Sequence, residues 1–250
     1  MQSPGPPRWR YRLFLLGYGF VIWAGLPLIW RYFRRRATSD EGYGRHLEER
    51  QGEGAPFPCD LWVHAVSLGE MTSAEPLVRR ALEDGARVVT THATPAGRRR
   101  AETRFAEAIA RGQMAVRYAP IDRAPFWRRF LSAHTPTVAL VMEMEFWPTM
   151  IETAAERGVP LILANSQVPS KSFPRAWRLA RLFGHPVART AAVFAKSEVM
   201  AERFRALGAR DTRVMGETRF DMAAPQDQLA GGVWVQWGAC GAVYASERLS

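Results

Sequence analysis

The chain has 250 residues, of which 47% are hydrophobic, and a formal net charge of +10. This length fits one large domain or one and a half ordinary ones, with a hydrophobic content normal for a globular protein. Its two cysteines, Cys59 and Cys240, lie far apart and exclude a disulfide framework, and the five histidines form no HExxH or similar cluster. We therefore expect no metal site. The charge suits anionic lipid, phosphorylated substrates or nucleic acid, and a basic surface near a membrane explains it equally well.

An uncharged apolar segment, Leu13–Trp30, is flanked by arginines and followed by RYFRRR. Its 18 residues reach the lower end of membrane-spanning length. The heavier positive cluster follows the segment, which predicts that the rest of the chain stays on the cytoplasmic side of the membrane. A cleaved signal peptide is less favoured, because RYFRRR resists translocation. A monotopic, partly inserted helix remains open, since Pro27 can kink the segment. We assign residues 1–36 to a membrane anchor.

Beyond the anchor, the polar residues 37–56 suggest a linker, and strand and helix patterns then alternate. The predicted strands are Leu61–Val66, Arg87–Thr91, Met114–Tyr118, Thr137–Met142, Pro160–Ala164, Ala192–Ala195 and Arg213–Met215. The predicted helices are Thr72–Glu83, Pro95–Arg111, Ala124–Ala133, Trp147–Arg157, Arg175–Phe183 and Glu198–Leu207. Short links and apolar strands predict parallel βαβ units and a sheet covered on both faces. We expect a doubly wound, Rossmann-like α/β domain over 57–221. Residues 222–250 form a divergent tail, in which only Val233–Val235 resembles a strand.

The segment Leu61–Glu70, LWVHAVSLGE, is the first candidate for a functional site. A buried strand runs into a Ser67-Leu68-Gly69 turn, and Glu70 stands where a helix begins. In an open α/β sheet, ligands bind beyond the carboxyl ends of the strands. Gly69 permits close backbone approach there, and Glu70 is suited to act as a general base on a hydroxyl. A carboxylate that only complements the helix dipole is an equally good interpretation from spacing alone.

Three other strand ends carry polar residues. THATPAGRRR at 91–100 leads three arginines onto a helix, where they suit either a phosphate or a solvated basic face. MEMEFWP at 142–148 ends an apolar strand with Glu143 and Glu145, for which function is favoured over packing. ANSQVPSKS at 164–172 contains Asn165 and Lys171, and an ordinary connecting loop explains it equally well. The chain contains no GxGxxG, GxxxxGK[ST] or GxSxG motif, so a classical dinucleotide site, a P-loop and a nucleophile elbow are unsupported.

Taken in order, these motifs resemble those of a known family. The anchor with its basic flank, HAVSLGE, THATPAG with Arg100, YAPID, MEMEFWP, LANSQ…SKS and GETRFD together are similar to the N-terminal half of the 3-deoxy-D-manno-octulosonic-acid (Kdo) transferases of lipopolysaccharide synthesis. Single motifs are weak, whereas seven in this order are specific. The resemblance covers about 13–221.

The resemblance implies a membrane-associated, metal-independent, inverting glycosyltransferase of two-domain GT-B architecture at the inner membrane. The N-terminal domain would hold the lipid A precursor, and a C-terminal domain would bind the donor CMP-Kdo, with no cofactor. The family's catalytic base maps onto Glu70. Its conserved arginine maps onto Arg100 and its paired glutamates onto Glu143 and Glu145. We expect these three, together with Ser67, Gly69, Asn165 and Lys171, to bind the acceptor or support the site.

The chain also departs from the family pattern. Gln167, Pro169 and Thr218-Arg219 replace the residues usual there, and after Val233–Val235 the pattern is lost. This predicts a truncated or frame-disrupted member that lacks its donor domain and is inactive alone. The alternative is a membrane-tethered module that binds anionic lipid without catalysis. A nucleic-acid-binding protein is disfavoured, because no recognised module appears and many arginines lie beside the anchor.

Overall fold

Seven parallel strands form the centre of the chain in the computed structural model, which describes residues 9–143, 147–216, 235–237 and 243–245. The strands are β1 Leu61–His64, β2 Val88–His92, β3 Met114–Tyr118, β4 Val138–Met142, β5 Leu161–Ser166, β6 Ala192–Ala195 and β7 Thr212–Val214. Their order in the sheet is β3-β2-β1-β4-β5-β6-β7, and every neighbouring pair is parallel. The prediction of a doubly wound, Rossmann-like domain is confirmed.

Eight α-helices accompany the sheet within the described part of the chain. They are α1 Trp9–Ala37, α2 Leu68–Glu83, α3 Pro95–Arg104, α4 Ala106–Ala110, α5 Ala124–His134, α6 Pro148–Glu156, α7 Phe173–Phe183 and α8 Glu198–Ala206. The predicted single helix 95–111 is divided at Phe105, which leaves helical geometry and buries its ring in the core. Helix α2 begins four residues before the predicted Thr72, because Ser67 caps it.

The core has two layers, one on each face of the sheet. Adjacent residues of β1 belong to different layers: Trp62 packs with Trp127 and Phe130, whereas Val63 packs with Met71 and the α2–α4 side. Since successive side chains of a strand point to opposite faces, a strand covered on both faces must be apolar throughout. This burial explains the continuous apolar runs seen in the sequence.

The order in which strands are added to the sheet reverses between β1 and β4, and we call this point the chain reversal. From β1 the chain proceeds to β2 and β3 on one side, and it then returns to β4 on the other side of β1. His64 at the end of β1 lies level with Thr91 of β2 and Val141 of β4. Such a reversal opens a crevice beyond the carboxyl ends of the strands. The segments that begin with Ser67 and Glu143 leave the sheet on either side of this point.

Residues 37–56, for which the sequence suggested a linker, pack against the domain. They form two 3₁₀ turns, Glu41–Gly44 and Glu49–Gln51, and bury Tyr43, Glu49 and Arg50 against the domain. A buried charge is tolerated only when it is paired, and the Glu49 carboxylate accepts bonds from the Arg98 guanidinium and from the Tyr118 backbone N–H. The partners of this segment are distant in sequence, so local composition does not reveal them.

Two short antiparallel strands, β8 Val235–Trp237 and β9 Val243–Ala245, lie in the predicted tail. The predicted strand at Val233–Val235 overlaps β8 only at its last residue, and β9 was not expected. Residues 233 and 234, and the domain boundary placed at Asp221, lie outside the described residues.

Candidate active site at the carboxyl ends of the strands

Glu70 is held at the carboxyl end of β1 by the turn that precedes it. Ser67 caps α2, and its hydroxyl donates to the Glu70 Oε1 at 2.9 Å while accepting from the Glu70 backbone N–H at 3.4 Å. The Val66 backbone N–H donates to Oε2 at 2.7 Å. This arrangement resembles a capping box, except that the carboxylate accepts from the N–H of Val66, the residue before the cap, instead of from the Ser67 N–H. The carboxylate therefore has a structural role and, at the same time, a fixed position beside the chain reversal.

The turns after β1 and β2 pack directly on each other. Thr94 caps α3 and donates its hydroxyl to the Val66 carbonyl at 3.2 Å. A Cβ atom on Gly97 would lie 3.1 Å from the carbonyl carbon of Ser67, so only glycine allows this approach without a shift. The structure thus brings the SLGE and THATPAG motifs together. Val66 links them, because its N–H donates to Glu70 and its carbonyl accepts from Thr94, which lines a crevice.

This crevice, of about 600 Å³, lies between α1 and the ends of β2 and β3. We call it the α1 crevice. One wall is the apolar side of α1, and the other consists of loop residues after the strands. Its lining comprises Tyr18, Ile22, Ile29, Tyr32, Phe33, Tyr43, Arg50, Ala93, Thr94, Ala119, Pro120, Ile121, Asp122 and Trp147. A ligand with apolar chains and a polar head matches this lining.

The three arginines at 98–100 are neutralised by carboxylates and do not form an open phosphate site. Arg98 pairs with Glu49, Arg99 makes two bonds to Asp40, and Arg100 pairs with Glu75 at 2.5 Å. Glu75 is buried and also contacts Arg104. Arg100 therefore links α3 to α2 in this structure, and its role in acceptor binding stays a prediction.

Beyond β4, β5 and β6, Glu143 and Lys196 form a second polar group. The Lys196 Nζ lies 3.4 Å from the Glu143 Oε1, and both side chains are largely buried. Glu143 adopts a left-handed backbone with φ of 54°, and its N–H donates to the Ala164 carbonyl. Sequence analysis missed Lys196, although a lone lysine at a strand end in an arginine-rich chain was a usable signal. Glu145 lies outside the described residues.

Asn165 lies next to this pair at the end of β5. It is fully buried with φ of 53°, and neither its side-chain oxygen nor its nitrogen has a hydrogen-bond partner within the described part of the chain. An unpaired buried amide costs about 1–3 kcal/mol, and such exceptions are uncommon in native proteins. Lys171, by contrast, is exposed in the turn before α7. The structure therefore groups Asn165 with Glu143 by strand position and leaves Lys171 on the surface.

Asp122, the acid of the YAPID motif, is a buried residue whose role sequence analysis did not assign. It accepts hydrogen bonds from the Trp127 indole, from the backbone N–H groups of Thr149 and Met150, and from Tyr18 of α1. Burial raises the pKa of the Asp122 carboxyl to about 6, despite these donors. Asp122 thereby caps α6 and joins the domain to α1.

His64 lies beneath the crevice with its ring edge-on to Trp147 at 5.3 Å. Its Nδ1 contacts the Thr91 hydroxyl at 2.8 Å, and its Nε2 has no hydrogen-bond partner among the residues described. Burial lowers the pKa of His64 to about 3, so the ring is neutral at physiological pH. No three His, Cys, Asp or Glu side chains in the described ranges lie together as metal ligands. That the site works without a metal stays a prediction.

A parallel α/β domain with a fixed carboxylate beside its chain reversal, and a crevice beyond the ends of β2 and β3, has the architecture of a ligand-binding or catalytic domain. The chain belongs to the family described as 3-deoxy-D-manno-octulosonic-acid transferase (kdotransferase), whose profile matches residues 36–222. The resemblance stated from the motifs is confirmed.

Relatives and solved structures extend this comparison. A 3-deoxy-D-manno-octulosonic acid transferase of Bordetella pertussis is 37% identical over 227 residues, covering 90% of this chain and 52% of the relative. One from Haemophilus influenzae is 26% identical, and the match covers 81% of this chain and 48% of the relative. The chain thus spans about half the length of these curated relatives. The structure of the UDP-GlcNAc 2-epimerase of Neisseria meningitidis is similar to this chain with a TM-score of 0.45 and 10% identity. The match covers 65% of this chain and 48% of the epimerase chain.

Proposed function

We propose that this chain provides the acceptor side of a glycosyltransferase that transfers Kdo from CMP-Kdo to a lipid A precursor with inversion. Glu70 is the general base in this proposal. The observation that carries it is the placement of the Glu70 carboxylate by Val66 and Ser67 at the end of β1, beside the chain reversal. The proposed location is the cytoplasmic face of the inner membrane.

The proposed reaction needs a base on the acceptor side. The acceptor hydroxyl attacks the anomeric carbon of Kdo, its proton passes to the Glu70 carboxylate, and the bond from that carbon to the CMP phosphate breaks, so that CMP leaves. A positioned base contributes about 10²–10⁴-fold to such a step. Both carboxylate oxygens of Glu70 already accept hydrogen bonds, which orients the group before the acceptor arrives.

The α1 crevice supports a lipid as the acceptor. Its apolar wall on α1 suits acyl chains, whereas Thr94, Arg50 and Asp122 supply polar groups on the other side. The Arg50 guanidinium lies over the rings of Phe33 and Tyr118, at 4.1 and 4.2 Å from their centroids, so it is held rigidly at the crevice wall. A rigid guanidinium is a good partner for phosphate or carboxylate.

We assign the remaining predicted residues to acceptor binding or support within the same proposal. Ser67 orients Glu70, and Gly69 leaves the start of α2 open for close approach of a ligand. Glu143 and Asn165 would contact the sugar portion near Lys196. Arg100, Glu145 and Lys171 remain assigned through the resemblance alone. The donor CMP-Kdo would be bound mainly outside the domain described here, so we expect the purified chain to bind acceptor lipid without transferring Kdo by itself.

The test uses a chimera in which residues 36–222 of this chain replace the matching part of the Bordetella pertussis relative. We expect Glu70→Gln to lower the turnover of labelled CMP-Kdo by about 10²-fold or more. Glutamine also fits a capping box, so the fold should be retained. The matched control is Glu83→Gln, an exposed change at the other end of α2. Near-normal turnover of the Glu70 variant would exclude Glu70 as the base.

A second readout addresses the alternative of a lipid-binding module without catalysis. The full chain in detergent is titrated with the lipid acceptor, and the Glu70→Gln variant is titrated in parallel. Equal binding together with lost turnover in the chimera supports a base. An inactive parent chimera whose full chain still binds acceptor lipid would favour the non-catalytic module.

A further inference from the structure

By length and composition, helix α1 is long and apolar enough to cross a membrane. Its length and composition do not decide whether it spans the bilayer or lies on it. The contacts of α1 with the domain address this question, because a helix that stays attached along its length cannot pass through the membrane alone.

Contacts with the domain run along nearly the whole of α1. Tyr11 is buried, Tyr18 bonds to Asp122, Phe33 packs under the Arg50 guanidinium, and Arg36 donates to the Tyr43 hydroxyl at 3.2 Å. At 1.5 Å per residue, these contacts extend over roughly 38 Å, more than the hydrocarbon thickness of about 30 Å. The domain is therefore attached near both ends of α1 and at Tyr18, over a length that exceeds the hydrocarbon core.

Charged groups of the domain face α1 across a cavity of about 890 Å³. They are Arg123, Arg128, Glu152, Glu156 and Arg189, and α1 itself contributes Arg12. If α1 spanned the membrane with its contacts intact, these groups would lie at hydrocarbon depth, where each ion is strongly disfavoured. In a helix that lies parallel to the membrane, the same groups stay on the aqueous side.

The side of α1 that faces away from this cavity and from the crevice is apolar, with Leu13, Val21 and Leu28 each more than half exposed. Leu16, Phe20 and Trp23 are also more than half exposed, and they line the cavity itself. An interfacial helix buries such a face at the boundary between headgroups and acyl chains. The arginines at both ends of α1 then lie at the level of the anionic headgroups.

A second helix, α7, adjoins the N-terminal part of α1. The rings of Phe14 and Phe183 are 6.0 Å apart, and Gly184 packs against Tyr11. None of the residues of α7 is fully buried, and its exposed apolar residues include Leu179 and Leu182. Three exposed arginines, Arg175, Arg178 and Arg181, lie on the same helix. Apolar residues beside arginines on one exposed helix are typical of binding to an anionic membrane surface.

We propose that this protein is monotopic: α1 lies in the plane of the cytoplasmic membrane surface, and α7 joins it in one membrane-binding face for anionic phospholipid. This proposal goes beyond the transfer activity and does not depend on it. This face keeps the α1 crevice, of which α1 forms one wall, at the height of the lipid headgroups.

Topology is tested with the full chain carrying an N-terminal epitope tag in bacterial cells. We expect the tag to resist protease added to intact spheroplasts and to be cleaved after lysis, because both ends of α1 lie on the cytoplasmic side. Cleavage of the tag in intact spheroplasts would show a spanning helix and overturn the proposal.

The role of α7 is tested by flotation of the purified full chain with limiting phosphatidylglycerol-containing vesicles. Each arginine near an anionic surface strengthens binding by about fivefold. The double variant Arg178→Glu with Arg181→Glu should therefore weaken binding by roughly 25-fold or more. The control, Arg79→Glu with Arg111→Glu, makes the same charge change on α2 and after α4, where we expect a smaller effect.

Leu182→Asp supplies a test without changing the arginines, and Leu182 is 57% exposed, so the substitution does not disturb the core. Leu182→Asp should also weaken binding to vesicles of phosphatidylcholine, where anionic charge is absent. Equal binding of the α7 variants and the control would remove α7 from the membrane-binding face and overturn the proposal.

Discussion

Tyr18 of α1 and Asp122 of the domain share a hydrogen bond, so the apolar N-terminal helix is joined to a buried carboxylate that also caps α6. The same carboxylate accepts the Trp127 indole N–H. One residue thus connects α1, a core tryptophan and the helix that begins just after Trp147.

We expect Asp122→Ala to lower the free energy of unfolding by about 2–4 kcal/mol. Loss of the helix cap contributes about 0.5–2 kcal/mol, and the unpaired Trp127 indole adds about 1–3 kcal/mol. Urea unfolding monitored by tryptophan fluorescence measures the change. Asp211→Ala, which removes only an exposed pair with Arg213, should change stability by less than about 1 kcal/mol. Equal effects of the two variants would contradict the central role of Asp122.

The second prediction concerns the buried pair of Glu49 and Arg98. Glu49→Ala leaves the Arg98 guanidinium and the Tyr118 N–H buried without this acceptor, and we expect a loss of about 3–5 kcal/mol. Glu107→Ala breaks an exposed pair with Arg111 and should cost no more than about 1 kcal/mol. Thermal unfolding of both variants provides the measurement. A small effect at Glu49 would show that residues 37–56 contribute little to the fold.

A substitution of Asn165 distinguishes a structural role of its buried amide from a role in binding the acceptor. Asn165→Gly removes two buried polar atoms that lack partners among the described residues, and glycine accepts φ of 53° without strain. We therefore expect stability within about 1 kcal/mol of the parent, since removing the unpaired amide offsets the lost packing. If Asn165 binds the acceptor, turnover of the chimera should fall at least tenfold, or by about 1.4 kcal/mol. Strong destabilisation would instead indicate a purely structural amide.

The buried histidines predict a loss of stability in acid. Burial lowers the pKa of His64 to about 3 and those of His92, His134 and His185 to about 4. The unfolded chain takes up these protons below about pH 6.5, whereas the folded chain does not. Stability is therefore complete above that pH and is lost as the pH falls toward 4. Asp122, with its pKa raised to about 6, and Glu152, whose pKa is also raised by burial, act in the opposite direction, but as two groups against four.

Urea midpoints at about pH 7, 6 and 5 provide the measurement for this prediction. We expect the midpoint to fall at each step toward acid, and His64→Gln should make the decrease smaller because it removes one of the four titrating groups. A midpoint that is constant or rises over this range would mean that the acidic groups outweigh the histidines.

Most elements of the domain were predictable, because their signals are local. Apolar runs such as Met114–Tyr118 match the observed strand, and helix ends at Gly158 and Gly208 follow from the preference of glycine for left-handed backbone. The division of 95–111 at Phe105 was not predictable, since it depends on the burial of one ring in a distant core. The same limit applies to residues 37–56, whose buried partners include Tyr118, far along the chain.

Periodicity, motif order and the turn chemistry of SLGE by themselves determined the α/β class, the family resemblance and the place of Glu70 at a strand end. Only the tertiary structure decided which charges meet. It paired Arg100 with Glu75, joined Glu143 to Lys196, and attached α1 to the domain through Asp122. The physical reason is that hydrogen bonds and packing within a turn depend on neighbours in sequence, whereas the pairing of a charge depends on which distant side chain burial brings within a few ångströms.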